Sequence, residues 1–334
     1  MGCPDVQINQ PSSGDMLMRG ARVIGFHGGG SLKPWVLFGI VLSLVMASNL
    51  AVAMPKFSEW SAPINLGPTV NSAANDVGPA ISRDGLSLYL GSNRAGGYGM
   101  ADIWVSQRAS AHDPWGPAVN LGAMINTAAN ENVPALSRDS HWLFFASTRS
   151  GGFGGTDLWA SWREHVNNDF GWLAPVNLGE GINSAYFDAG PSYFENEDLG
   201  APLLFFNSDR PGGPGGNDVY VSTQQPDGSF GVAQLVDELS SSANDQRPVI
   251  RFDGLELFLW SDRPGSVGGT DLWVSSRERV SDPWGTPLNL GGTVNSIYDE
   301  AQPYIASDRS TLLFSSNRPG GVGGFDLYTT TRSR

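Results

Sequence analysis

The sequence has almost no cysteine. Cys3 is the only one among 334 residues, so a disulfide within the chain is impossible and cysteine-based zinc sites are excluded. The four histidines are His27, His112, His141 and His165, and their spacing forms no metal-binding cluster. We therefore expect no metal ion and no cofactor.

Several catalytic motifs are missing as well. The sequence contains no Gly-x-Ser-x-Gly elbow, and its glycine-rich loops precede strand-like runs instead of the helices that would cradle a phosphate. Charged residues make up only 16% of the chain, and the formal net charge is −13. This acidity argues against nucleic acids and anionic membrane surfaces as partners.

The chain does contain a repeat of eleven residues, which occurs five times. The copies begin at arginines that are 55, 61, 53 and 55 residues apart. They read RAGGYGMADIW from Arg94, RSGGFGGTDLW from Arg149, RPGGPGGNDVY from Arg210, RPGSVGGTDLW from Arg263 and RPGGVGGFDLY from Arg318. Self-similarity at a period of about 40–60 residues indicates a propeller or a repeat array.

Each repeat predicts four strands, here called a to d. Strand a is expected to start at a proline, a position that tolerates this residue. The prolines are Pro79, Pro134, Pro191, Pro248 and Pro303. Strand b follows a turn such as Asp84-Gly85, and strand c begins at an aspartate after the glycine-rich loop. Strand d extends from a tryptophan to an Asn-Leu-Gly sequence, as in Trp60 to Asn65.

The order of these strands predicts a closed ring. One strand d, in residues 57–67, precedes every other strand, and the chain ends just after the fifth strand c. If the N-terminal strand completes the last blade, the ring closes and leaves no open edge. The predicted fold is therefore all-β, a five-bladed β-propeller with four antiparallel strands per blade.

These residues resemble the WD-like propeller repeats of the TolB type, found in exported bacterial proteins. The resemblance rests on the acid-x-x-Pro start, the Ser82-Arg83-Asp84-Gly85 turn and the Ser-x-Arg-x-Gly-Gly loop that ends in Asp-Ile/Leu-Trp, and it covers residues 56–334. It implies a propeller fold and a role as a scaffold for protein contacts in the cell envelope. TolB itself carries an additional α/β domain, so its partner contacts are not carried over.

The first 53 residues differ from the rest. Arg19, Arg22 and Lys33 precede an apolar run from Trp35 to Ala53, and this run ends in Ala-Val-Ala. The pattern is typical of a secretory signal peptide, although the run is also long enough for an uncleaved anchor. We predict a signal peptide in residues 1–53 and a propeller in residues 54–334, in an exported monomer of the periplasm or cell envelope.

Repeated charges are expected on one face, called the regular face, where strands a and c begin and strand b ends. A ring of acids at the channel mouth would comprise Asp76, Glu131, Asp188, Asp245 and Glu300. Each of the five repeat arginines would pair with the ring acid and with the strand c aspartate of its own repeat, the aspartates being Asp102, Asp157, Asp218, Asp271 and Asp326. Because every blade repeats them, we interpret these charges as structural ion pairs. A cation or ligand site on the ring is the alternative.

The opposite face, called the irregular face, carries the a–b turns and the c–d loops, which differ from blade to blade. Variable loops on a rigid scaffold usually carry function. The candidate binding residues are Glu195, Glu197, Asp198, His112, His165, Asn167 and Asn168. We expect them to bind an envelope protein or, as the less favoured partner, a glycan.

The preferred function is a non-catalytic propeller scaffold for protein–protein interaction. The alternative is a carbohydrate-binding or glycoside-hydrolase-like five-bladed propeller. Glycoside hydrolysis needs two carboxylates in unlike surroundings, whereas the predicted ring acids look equivalent. No catalytic residue is therefore predicted from the sequence.

The signal peptide yields the first testable outcome. Cleavage after Ala53 should give an exported protein whose N-terminal sequence begins at Met54, because Ala51 and Ala53 have the small side chains that a signal peptidase site needs. N-terminal sequencing of the exported protein measures this. An intact 35–53 segment in the membrane fraction would show an anchor instead.

Overall fold

The computed structural model describes residues 57–334, apart from the side chain of Asp198. The predicted signal peptide or anchor in residues 1–53 lies outside the described residues. Within the described part of the chain, no helix is long and apolar enough to cross a membrane.

Five antiparallel sheets of four strands form the blades. Blades one to five comprise β2–β5, β6–β9, β10–β13, β14–β17, and β18–β20 with β1. In chain order the strands are β1 (Ile64–Asn65), β2 (Asp76–Ile81), β3 (Ser87–Ser92), β4 (Asp102–Gln107), β5 (Val119–Asn120), β6 (Glu131–Leu136), β7 (Trp142–Ser147), β8 (Asp157–Trp162), β9 (Val176–Asn177), β10 (Asp188–Phe194), β11 (Leu203–Ser208), β12 (Asp218–Thr223), β13 (Gln234–Leu235), β14 (Asp245–Ile250), β15 (Glu256–Ser261), β16 (Asp271–Ser276), β17 (Leu288–Asn289), β18 (Glu300–Ile305), β19 (Thr311–Ser316) and β20 (Asp326–Thr331).

The innermost strands form the ring. Strands β2, β6, β10, β14 and β18 contact one another in this order, and β18 contacts β2 again. The apolar core is divided into five clusters, each between two adjacent blades. Tyr89 of blade one, for example, shares a cluster with Phe145 of blade two. The predicted five-bladed β-propeller is confirmed.

Ring closure follows the predicted route. Strand β1 pairs with β20, so that Ile64 lies opposite Thr329 and Asn65 opposite Tyr328. Backbone hydrogen bonds extend the pairing, including one of 2.8 Å from the Ser61 amide to the Thr331 carbonyl. The outer strand is only two residues long, shorter than predicted, and Ile64 is 67% exposed. The segment therefore stabilises the fold through the apolar side chains of Trp60 and Leu66, which pack on the core.

The predicted start of strand a at proline is wrong by three residues. Each inner strand begins at the repeated acid, and a β-bulge precedes the proline. The residue before the proline has a positive φ in every blade: Gly78 (64°), Val133 (46°), Gly190 (64°), Arg247 (46°) and Gln302 (53°). The bulge takes the proline out of the hydrogen-bond ladder, which explains how it fits inside a strand.

The five ring acids are buried by ion pairs within their own blades. Each is fully buried and pairs with the arginine that follows strand b of the same blade. The distances are 3.2 Å for Arg149–Glu131, 2.6 Å for Arg210–Asp188 and 2.8 Å for Arg318–Glu300. The same guanidinium groups donate to a backbone carbonyl of the preceding loop, as from Arg149 to Ile125 at 2.5 Å. The acids thus do not present free carboxylates at the channel mouth.

The strand c aspartates have a different partner from the one predicted. They accept hydrogen bonds from backbone amides of their own glycine-rich loop, as Asp157 does from Phe153 at 2.6 Å, and not from the arginine. In four blades a strand d asparagine donates as well, as Asn177 does to Asp157 at 2.8 Å. Blade three has Leu235 at this position, and there Oδ1 of Asp218 is buried without a partner. Burial raises the pKa of Asp218.

The repeated aromatic residue of strand c is a packing residue. Trp104, Trp159 and Trp273 are 7–8% exposed. In each blade the repeat arginine lies over this ring, with 5.0–5.4 Å between the guanidinium carbon and the ring centroid. The regular face is therefore organised by one set of contacts that every blade repeats.

Removing the closing segment should destabilise the propeller. A chain that starts at Pro68 lacks the half-buried Trp60 and Leu66 and the bond from Asn65 to Asp326. The free energy of unfolding should fall by about 3 kcal/mol or more relative to a chain that starts at Phe57. Chemical denaturation of both chains measures this, and equal midpoints would contradict closure.

Breaking one repeated ion pair should also cost stability. The change Arg149→Ala leaves Glu131 buried without its cation, which should lower the free energy of unfolding by about 3 kcal/mol or more. The matched control is Arg279→Ala, since Arg279 is 78% exposed and its pair with Asp282 measures 3.8 Å. Equal shifts of the melting temperature in the two variants would contradict a structural role of the buried pair.

Candidate functional site

The predicted binding residues of the irregular face do not form one cluster. His112 and His165 are exposed in the c–d loops of different blades, and no group of three or more His, Cys, Asp or Glu residues within 57–334 could hold a metal ion. The side-chain oxygen of Asn168 accepts a hydrogen bond from the Phe170 amide at 3.1 Å, so Asn168 stabilises its own loop. Asn167 lines a groove, and Glu195 lies in a cavity at the channel mouth.

The loop that carries Asn167 is fixed by a buried charge network. Asp169 accepts hydrogen bonds from Ser87 at 2.5 Å, Tyr89 at 2.5 Å, Gln107 at 2.7 Å and Arg163 at 2.7 Å. Burial opposes the charge of Asp169, but these four donors lower its pKa. Because Asp169 and Arg163 belong to blade two and the other donors to blade one, the network fixes this groove wall between the two blades.

A cavity occupies the mouth of the channel on the irregular face. It is built by the ends of the inner strands and by the a–b turns, which the ring brings together from all five blades. Two guanidinium groups cross the mouth: Arg83 of blade one and Arg138 of blade two lie 5.3 and 4.1 Å from the ring of Phe252, which belongs to blade four. The channel mouth therefore combines two cations with one aromatic ring.

Two carboxylates in unlike surroundings lie beside these arginines. Glu195 is half-buried at the end of β10, and Asp139 is exposed in the a–b turn of blade two. Burial and the negative charge of Asp139 raise the pKa of Glu195, although the amide and the charge of Arg138 partly oppose this. Asp139 is held by its Oδ1, which accepts from the Ser137 hydroxyl at 2.5 Å and the His141 amide at 3.0 Å.

The floor of the cavity is a buried arginine. Arg247 is 3% exposed, and its Nη2 donates to the carbonyls of Pro79 at 2.8 Å and Pro134 at 3.4 Å, on blades one and two. Its Nη1 lies 3.4 Å from the Gln302 side-chain oxygen. Burial lowers the pKa of Arg247 to about 9, so the group stays cationic at neutral pH. Arg247 therefore closes the channel with a positive charge.

Two grooves adjoin the channel mouth, and both include Arg83, Arg138 and Asp139. One extends toward Gln107 and Asn167 with a volume of about 640 Å³, and the other toward Glu195 and Glu197 with about 370 Å³. Volumes of roughly 300–1,000 Å³ are typical of sites for small ligands. The carboxylate pair therefore borders space that could hold a ligand of a few sugar units.

Sequence reasoning identified Glu195 but missed its neighbours. Arg83, Arg138 and Phe252 occupy equivalent positions of the a–b turns in blades one, two and four. An alignment of these turns would have shown that this position is arginine in two blades and phenylalanine in another. The sequence gives no sign that Arg247, which stands where other blades have Gly, Val or Gln, would fill the channel.

Comparison with solved structures finds the same fold in several proteins of low sequence identity. The catalytic domain of the GH62 α-L-arabinofuranosidase from Coprinopsis cinerea has a TM-score of 0.56 at 14% identity, over 84% of this chain and 98% of that one. The α-L-arabinofuranosidase from Podospora anserina, solved with cellotriose, has a TM-score of 0.53 at 12% identity, over 83% and 98%. TolB from Acinetobacter baumannii reaches only 0.47 at 14% identity, over 78% and 55%, which supports no argument. No protein-family model and no curated protein matches the sequence.

The comparison contradicts the predicted non-catalytic scaffold. Structures similar to this chain at TM-scores of 0.51–0.56 are described as α-L-arabinofuranosidases or as hydrolases of families GH43 and GH62. At identities of 9–14% the similarity itself establishes the fold alone. The prediction failed because it considered only the equivalent acids of the regular face and did not identify the unlike pair on the irregular face. The alternative prediction, a carbohydrate-active propeller, agrees better with these findings.

Proposed function

We propose that the protein is a glycoside hydrolase whose site lies at the irregular-face mouth of the channel. One observation carries the proposal: Glu195 and Asp139 border the same groove in unlike surroundings, and the pKa of Glu195 is raised. Glycoside hydrolysis requires such a difference between two carboxylates. The similarity in fold to α-L-arabinofuranosidases supports the choice of substrate class but specifies no sugar.

The two carboxylates would divide the chemistry. Glu195, whose burial favours the neutral form, would donate a proton to the glycosidic oxygen as the leaving group departs. Asp139, held by the Ser137 hydroxyl and the His141 amide, would stabilise the positive charge that develops on the sugar or activate the attacking water. Phe252 would provide an apolar surface for the sugar ring at the channel mouth.

Three features predicted from the sequence remain proposals beside this function. The TolB-type resemblance of the repeat concerns the repeat unit and not the site, because all the residues that carry it serve the blades. Export to the periplasm or cell envelope would bring the site to extracellular glycans. A monomer is proposed because the ring closes within one chain.

Replacing the proposed acid should abolish most of the activity. The change Glu195→Gln removes the proton donor and should lower kcat by about 10²–10⁴-fold on a glycoside with a poor leaving group. A panel of aryl glycosides and oligosaccharides that includes α-L-arabinofuranosides identifies the substrate first. Glu278→Gln is the control, since Glu278 is an exposed acid of the same face that borders neither the cavity nor the grooves.

The pH dependence supplies a second measurement. Because the acid must be protonated, activity should decline as pH rises through the pKa of Glu195, which lies above that of an ordinary glutamate. This alkaline limb should be missing from the residual activity of Glu195→Gln. Full activity of both Glu195→Gln and Asp139→Asn on a substrate that the native protein cleaves would show that the site is elsewhere. No cleavage of any glycoside in the panel would refute the proposal itself.

A further inference from the structure

The arginines at the channel mouth differ from most others in the chain. Arg94, Arg149, Arg163, Arg210, Arg251, Arg263, Arg309, Arg318 and Arg332 all pair with a carboxylate within 3.3 Å. Arg83, Arg138 and Arg247 form no ion pair within 4.0 Å with any carboxylate that the structure describes in residues 57–334. The chain has 33 acids and 20 bases, so carboxylates are not scarce. Three unpaired cations in one cavity therefore need an explanation.

The geometry brings these charges together against their mutual repulsion. Arg83 and Arg138 reach the same Phe252 ring from blades one and two, so both guanidinium groups lie within 5.3 Å of its centroid. Arg247 lies beneath them in the same cavity and is almost fully buried. Like charges that line one cavity repel one another. Arg83 and Arg138 are exposed, so water weakens their repulsion, and the cost falls mainly on the buried Arg247. An anion bound among the three groups would remove this cost.

Neither carboxylate of the site neutralises the three arginines. Glu195 has a raised pKa, which favours its neutral form. The backbone amide and the charge of Arg138 oppose this rise only in part. Oδ1 of Asp139 is occupied by the turn itself. The cavity itself is thus lined by three arginines and one acid, Glu195. This combination matches a sugar that carries its own negative charge.

We propose that the site recognises an anionic sugar, bearing a carboxylate or a sulfate ester, through Arg83, Arg138 and Arg247. This proposal rests on the proposed function and names its substrate class. Planar guanidinium groups bind the paired oxygens of such anions through two parallel hydrogen bonds. Serine hydroxyls of the cavity wall, Ser137, Ser192 and Ser307, line the same space. The neighbouring Phe252 ring would contact the apolar face of the sugar.

Calorimetric titration of the full-length protein tests this with three probes of equal length. They are trigalacturonate, its fully methyl-esterified form, and a sulfated galactose trisaccharide. At least one of the two anionic probes should bind about tenfold or more tightly than the neutral ester, and its affinity should fall as salt rises. Tighter binding of trigalacturonate identifies a carboxylate sugar, and tighter binding of the sulfated probe identifies a sulfate ester. Equal affinity for all three probes would overturn the proposal.

Substitutions locate the anion. Arg138→Gln and Arg83→Gln should each weaken binding of the preferred anionic probe by about tenfold while the affinity for the neutral ester changes little. Arg279→Gln, which removes an equal charge from a residue that is 78% exposed, should change neither affinity. Thermal denaturation checks that each variant is folded, and Arg247 is left intact because its loss could disrupt the channel. A preference for the anion that persists in the Arg83→Gln/Arg138→Gln double variant would overturn the assignment to these arginines.

The outcome also separates this inference from the proposed function. Cleavage of neutral glycosides that depends on Glu195, without any preference for anionic probes, would overturn the inference and retain the hydrolase. Binding of an anionic probe that depends on the two arginines, without cleavage of any glycoside, would retain the inference and overturn the hydrolase.

Discussion

The buried ion pair that each blade repeats is the interaction on which the rest of the structure depends. A carboxylate with no exposed surface needs a cation, and in each blade the arginine after strand b provides it. The same guanidinium binds a carbonyl of the preceding loop and lies over the strand c aromatic ring. One side chain therefore connects strand a, strand b, strand c and the loop that enters the blade. Because every blade uses its own copy to hold its strands together, the regular face has little freedom to evolve a single ligand site.

The regular face carries the repeated structural contacts, and the irregular face carries the proposed site. This difference explains how well the sequence predicted the fold and how poorly it predicted the site. Strand order, blade number and closure by residues 57–67 follow from a pattern that recurs five times, and each copy reinforces the others. The bulges before Pro79 and its equivalents were not predictable from the pattern, because a register shift needs the partner strand to be known. The exposure of Ile64 was missed for a similar reason, since two paired residues do not reveal which face of the outer strand is covered.

The site depends on convergence of positions that are far apart in the sequence. Arg83 and Phe252 are separated by about half of the chain, yet their side chains meet at the channel mouth. Nothing local distinguishes Arg138 from an ordinary turn arginine, and only the ring brings it beside Glu195. Glu195 itself was selected as a residue of the irregular face, and the reasoning assigned it to the protein-binding surface of a scaffold, the function that the comparisons contradict. The error arose from judging the acids by their repetition and not by their surroundings.

The channel residue Arg247 links the architecture to the chemistry. It stands at a bulge where the backbone has a positive φ of 46°, an unfavourable conformation for a residue with a Cβ. Gly78 and Gly190 occupy this position in two other blades, and a Cβ on Gly78 would lie 2.7 Å from Nη1 of Arg247. The ring thus makes room for one long side chain in the channel by keeping an opposing position small. No carboxylate offsets the desolvation of this buried cation, and only its hydrogen bonds to two carbonyls and to the Gln302 side-chain oxygen do so. Its position beneath Arg83 and Arg138 is accounted for by the anion that the cavity is proposed to bind.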